Sequence, residues 1–148
     1  MNRRHLLQAL LASAATVPLS AFAAKKPHMT VYKSAGCSCC KEWVKHLEAN
    51  GFTVTPVDVP APSDYRDKYG IPTSLGSCHT GVSGGYAFEG HVPAADIKRL
   101  LAARTKARGL AVPAMPVGAP GMEGDRKDPF DVFLVKADGT HTTYKHYE

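Results

Sequence analysis

Long apolar runs, clusters of basic residues and internal repeats are all missing from this chain. The 18 lysines and arginines are scattered, with no arginine-rich helix and no lysine run. The positive charge therefore lacks the concentrated face on which nucleic-acid binding depends, and a nucleic-acid partner is not expected. The most apolar stretch, in MNRRHLLQALLASAATVPLSAFAAKK, is interrupted by Gln8 and Pro18. It is too short and too polar to span a membrane. Without a repeat period, no repeat architecture is expected. Tryptophan occurs once, as Trp43, and cysteine only four times, yet three cysteines crowd into CSCC.

The same N-terminal stretch has the parts of an export signal. Arg3 and Arg4 come first, an alanine-rich apolar segment follows, and Ala-Phe-Ala precedes the lysines. Cleavage is expected between Ala23 and Ala24, by the Sec route or, from Arg3-Arg4, the twin-arginine route. Residues 1–23 are thus read as a cleaved signal. Residues 24–148 are read as one small domain delivered to the periplasm, with no membrane span after signal removal. Loss of Arg3 and Arg4 lowers the formal charge from +5 to +3. The compartment permits disulfides, and the three possible full pairings of four cysteines stay open.

The pattern along the chain predicts an α/β fold. HMTVYKS reads as a first strand, ended by Gly36. A helix follows from Cys39, with Cys40, Trp43, Val44 and Leu47 on one face and Asn50-Gly51 as the stop. FTVTPVDV is a second strand whose Pro56 suits an edge or a bulge. PSDYRDKYG is a short helix with Ser63 as its cap. This order of strand, cysteine turn, helix, strand and helix opens a thioredoxin-like βαβ core. A hairpin around Gly84-Gly85 comes next, then a helix from Pro93 to about Arg108. The stretch GLAVPAMPVGAPGMEGDRKDP has no period and reads as a long loop. FDVFLVKADGTHTTYKHY closes as a C-terminal hairpin turning at Asp138-Gly139.

Cys37 and Cys40 form a C-x-x-C at a helix entrance, where free N–H groups and the dipole favour a thiolate. A thiolate is both a redox nucleophile and a soft metal ligand. Three uses compete. The sulfurs can staple the domain, alone or to Cys78. They can pass electrons, with Cys37 attacking and Cys40 resolving as a thiol–disulfide oxidoreductase. Or they can hold a metal. Cys39 favours the metal, because a plain redox pair gains nothing from a third thiol beside it. Thiolate softness puts Cu(I) ahead of zinc. Cys78-His79, with His91 beyond the glycine turn, adds imidazole donors if the turn folds back. Met115 and Met122, in the irregular loop, offer thioethers to Cu(I) or fill a gap beneath the loop. His28, His46, His141 and His146 have no such setting and read as surface; Trp43 reads as core.

Three segments, CSCCKEW, GSCHTGVSGGYAFEGHVPA and AMPVGAPGME, occur in this order and together resemble the periplasmic copper-resistance CopG family. The resemblance covers nearly all of residues 24–148. It implies a thioredoxin-like fold with copper at the cysteine cluster and a redox role in copper handling. It makes Cys37, Cys39, Cys40 and Cys78 the sulfur ligands, His79 and His91 nearby imidazole ligands, and the Met115–Met122 loop a lid. Copper ions and other periplasmic copper-handling proteins are the partners it implies. Thioredoxins place a proline directly before the strand that faces the redox cysteines. Here Pro129 stands before FDVFLV, whereas no strand follows Pro72 at once. Pro129 is therefore expected nearest the sheet, with Ser77 to Arg108 as an inserted hairpin–helix segment.

Overall fold

The computed structural model describes residues 25–148. The expected signal and its cleavage point lie outside the described residues. A seven-stranded mixed sheet runs in the order β2-β1-β3-β4-β5-β6-β7. Its strands are β1 His28–Lys33, β2 Thr53–Asp58, β3 His79–Ser83, β4 Tyr86–Glu89, β5 Gly109–Ala111, β6 Phe130–Val135 and β7 His141–Tyr147. The helices are α1 Ser38–Ala49, α2 Pro62–Lys68 and α3 Ala94–Ala103. β1 pairs parallel with β2 and antiparallel with β3, and β3 pairs antiparallel with β4.

The alternation of strand side chains builds two cores. Met29 and Val31 of β1, Phe88 of β4, Leu110 of β5 and Val132 of β6 pack with Trp43, Val44 and Leu47 of α1 and Ile97 and Leu100 of α3. Ala87, Ala111 and Val135, from the opposite parity of their strands, pack with Ile71 and Leu75. Tyr32 of β1 stacks on Tyr65 of α2 at 3.8 Å between ring centroids. The helices α1 and α3 thus cover one face and α2 the other. Trp43 lies over the sheet where β3 has Gly81, since a Cβ there would stand 3.0 Å from its ring.

Five expectations need correction. The segment from Ser77 to Arg108 is not an insertion: β3 sits between β1 and β4 near the middle of the sheet. Its polar residues disguised it, yet Thr80 is buried because its hydroxyl donates to the Glu89 carboxylate at 2.7 Å. Pro129 consequently precedes β6, which pairs with β5 and β7 and not with the strand beside the cysteines. Every peptide bond among the described residues is trans. α2 begins at Pro62 with Ala61 at its cap, so Ser63 lies inside it. α3 stops at Ala103 because Arg104 turns left-handed at φ 51°. The stretch read as one long loop contributes β5 at its start.

Candidate metal centre

The chain leaves β1, turns at Ala35-Gly36 and enters α1 with Cys37 as its N-cap. Cys37 Sγ accepts the Cys40 amide at 3.3 Å, so a sulfur does what a capping oxygen usually does. Cys39 and Cys40 lie in the first turn, with the free amides and positive dipole end around them. Cys37 and Cys40 are joined as a disulfide, and Cys39 and Cys78 are free. Cys40, Trp43, Val44 and Leu47 form the buried stripe that the spacing predicts.

Cys78 arrives from the opposite side, at the entrance to β3. Its sulfur is 3.7 Å from Cys39 Sγ and 3.6 Å from Cys40 Sγ, and Cys37 and Cys39 are 3.6 Å apart. All four sulfurs lie within 4.8 Å of one another. Two thiolates on one tetrahedral ion, at bonds of about 2.3 Å, stand about 3.7 Å apart. The Cys37–Cys39, Cys39–Cys78 and Cys40–Cys78 pairs have the spacing of thiolates on one ion.

Two imidazoles complete the inner wall. His79 Nδ1 is 3.3 Å and His91 Nε2 3.4 Å from Cys78 Sγ, and the three form a second group of converging donors. His91 Nδ1 is 2.8 Å from the Pro120 carbonyl. A carbonyl only accepts, so the proton is on Nδ1 and the Nε2 lone pair faces the sulfur. His79 is buried against Trp43, at 4.4 Å between ring centroids, and edge-on to His91 at 5.0 Å. Its Nε2 has no hydrogen-bond partner.

Burial governs the charge states. Desolvation pushes the Cys78 thiol up to about 12, with the neighbouring Cys39 adding to the effect. Burial, then the proximity of His91, pulls His79 down to about 3. Burial likewise lowers His91, against the opposing pulls of the Pro120 carbonyl and Glu123. The pocket therefore keeps neutral imidazoles and a protonated Cys78, and a thiolate there would need the charge of a bound cation.

The structure sorts the other candidates. Met115 is exposed and lines a cavity with His146 and Asp131 that contains no cysteine. Met122 is half-buried and sits beside Gly121, whose Cβ would stand 2.7 Å from Trp43 N and 3.0 Å from the Cys39 carbonyl. The proline-glycine loop thus closes on the first turn of α1. His28, His141 and His146 are exposed. His46 is not a plain surface residue: it is half-buried, and its Nε2 accepts the Ala94 amide at 3.1 Å. It caps α3, which has no side-chain cap of its own at Pro93. Sequence reasoning also missed Glu89, a buried carboxylate that accepts Ser77 N at 2.7 Å and so holds the strand entrance bearing Cys78. Desolvation raises its pKa. Nothing in a lone glutamate within YAFEG marks it as buried.

Comparison with known proteins follows the same residues. A family model described as "Protein of unknown function, DUF411" matches residues 75–122, which run through Cys78, His79, His91 and the methionine loop. No curated protein matches the chain. Two solved structures do. "Copper resistance protein copG- Form 2" is 48% identical, with a TM-score of 0.79, over 83% of this chain and 99% of that one. "Copper resistance protein copG- Form 1" is also 48% identical, with a TM-score of 0.77, over 82% and 98%. With four converging sulfurs, two imidazoles behind them and this identity across nearly the whole of its relatives, the chain belongs to the copper-resistance CopG family.

Proposed function

We propose that the protein is an exported, periplasmic copper-handling protein with a thioredoxin-like core. It holds Cu(I) at Cys37, Cys39, Cys40 and Cys78, with His79 and His91 as imidazole ligands. The observation that carries this reading is the convergence of both imidazole nitrogens on Cys78 Sγ, at 3.3 and 3.4 Å, within reach of three more sulfurs. Six donors exceed the four of one tetrahedral ion, which favours more than one ion per chain. Thiolates stabilise the reduced ion and imidazoles tolerate the oxidised one, so the donor set suits copper that cycles between Cu(I) and Cu(II) while bound. Zinc matches the geometry less specifically, because it makes no use of a redox-tolerant ligand mixture.

The order β2-β1-β3-β4, with α1 crossing between parallel β1 and β2, supports the thioredoxin-like reading. In that reading Cys78, directly before β3, stands where a thioredoxin has its proline. The signal-like residues 1–23 support export. No helix among the described residues is long and apolar enough to cross a membrane. Met122 in the closing loop is the better placed of the two methionines to act as a lid. Other copper-handling proteins of the periplasm are the expected partners. Thiol–disulfide exchange at Cys37 and Cys40 alone leaves Cys39, Cys78, His79 and His91 without a role.

The disulfide and the loaded site exclude each other, since sulfurs bonded to one another cannot serve as thiolates. A dithiol reductant, itself oxidised to a disulfide, passes two electrons and two protons to the pair, and metal uptake by the resulting thiols then releases protons. Electron paramagnetic resonance of the copper-loaded protein tests the redox part. A Cu(II) signal should appear in air and vanish with reductant while the copper stays bound. One redox state under both conditions would contradict it.

A further inference from the structure

A second donor set lies on β6, β7 and the loop before them, and it contains no cysteine. Asp131 and His146 are register partners on β6 and β7, and His146 Nδ1 is 2.8 Å from Asp131 Oδ1. An ionised carboxylate accepts and does not donate, so it holds the proton on Nδ1 and leaves the Nε2 lone pair free for another ligand. Both side chains line a cavity of about 420 Å³, and Met115 lines it with them.

Met115 is the one large hydrophobic side chain strongly exposed among the described residues, at 50%. Its position is held. Ala114 before it adopts a left-handed φ of 58°, which a residue with a Cβ avoids unless its surroundings impose it. The Ala114 amide donates to the Gly76 carbonyl at 3.0 Å, and Ser77 Oγ donates to the Ala114 carbonyl. Pro113, Pro116 and Pro129 stiffen the rim. A thioether kept in water and an oriented imidazole lining the same cavity are donors for a soft ion, and they have little to offer Mg²⁺ or Ca²⁺.

We propose that Met115 Sδ and His146 Nε2 form an accessory site for a soft monovalent cation of the Cu(I) and Ag(I) class. Asp131 fixes the imidazole and adds negative charge beside the cation. Both ligating atoms are neutral and the site is open, so it binds more weakly than a thiolate cluster. It stands independently of the cysteine site.

Ag(I), which takes the same soft donors and does not change oxidation state, is the probe. The reduced protein is titrated anaerobically while the Met115 methyl and His146 Cε1–H resonances are followed. Both should move together over one added equivalent, after the cysteines have filled. Met115→Leu should lose that equivalent and keep the earlier ones; the side chain is exposed, so the fold is unaffected. If the cysteines take no metal, the reading in the preceding subsection fails, and the paired shifts should then begin with the first equivalent. No movement in excess Ag(I), movement of only one residue, or an unchanged His146 response in Met115→Leu overturns the accessory site.

Discussion

The Pro120 carbonyl accepts the Nδ1 proton of His91 at 2.8 Å, and this one hydrogen bond ties the proline-glycine loop to the inner wall of the sulfur cluster. It decides which nitrogen of His91 is free to face Cys78. The loop can approach because Gly121 follows at φ 83°, with Trp43 N only 2.7 Å from where a Cβ would be. Gly121→Val should therefore lift the loop and release His91. A loss of about 1–3 kcal/mol is expected from the forced left-handed backbone, with weaker metal binding alongside. Urea unfolding and chelator competition on the same variant measure both.

His46 offers a contrast with the candidate ligands. Its Nε2 accepts the Ala94 amide at the start of α3, 3.1 Å away. His46→Ala should cost about 1 kcal/mol of stability, as other lost caps do, and leave the number of metal ions unchanged. Thermal unfolding and metal counting on that variant separate the two effects.

Proton release should accompany metal binding. The Cys78 thiol, pushed up to about 12 by burial and the nearby Cys39, is protonated at neutral pH, and a metal must displace that proton. Apparent affinity should fall about tenfold per unit drop in pH for each proton released. Competition titrations at pH 6.5 and 7.5 read the slope. A pH-independent affinity would show that Cys78 is not a thiolate ligand.

Acid should destabilise the metal-free protein through its buried histidines. His79 is pulled down to about 3, and His91 and His46 are also lowered, all chiefly by burial. A histidine lowered in the folded state binds its proton more readily when unfolded. Its contribution is full above the unfolded value of about 6.5 and is lost as pH falls toward the folded value. Each such group lowers stability by up to about 1.4 kcal/mol per pH unit in that window. Glu89, raised by burial, acts in the opposite sense, with its contribution present at low pH and lost as pH rises through its folded value. Urea midpoints between pH 7.5 and 4.5 should fall, and His79→Leu should flatten the slope.

Much of the molecule was legible from periodicity. The α1 stripe, the β1 and β2 strands, the Gly84-Gly85 turn and the closing hairpin follow from local patterns of apolar residues and glycines, and all stand as read. The central place of β3 in the sheet and the strand β5 were not legible, because they depend on pairing with β1, β4 and β6 that no local pattern marks. Thr80 is buried by Glu89, and the three residues of β5 are buried by β4 and β6 on either side. The donors Cys37, Cys39, Cys40, Cys78, His79 and His91 could be picked out because chemistry marks them, and the fold does bring them together. Met115 carries the same chemical mark, and only the topology shows that it faces a different cavity. The Pro120 carbonyl and the His46 cap have no sequence signal, since any residue supplies a carbonyl and an isolated histidine reads as surface.

Cu(I) binding by the sulfur cluster is the property on which the proposed function rests. The most direct measurement is an anaerobic titration of the fully reduced protein with Cu(I) against a competing chelator, counting ions bound per chain. The expected result is tight uptake of one or more ions, lost at the cluster in Cys37→Ala. A folded, fully reduced protein that takes up no Cu(I) would contradict it.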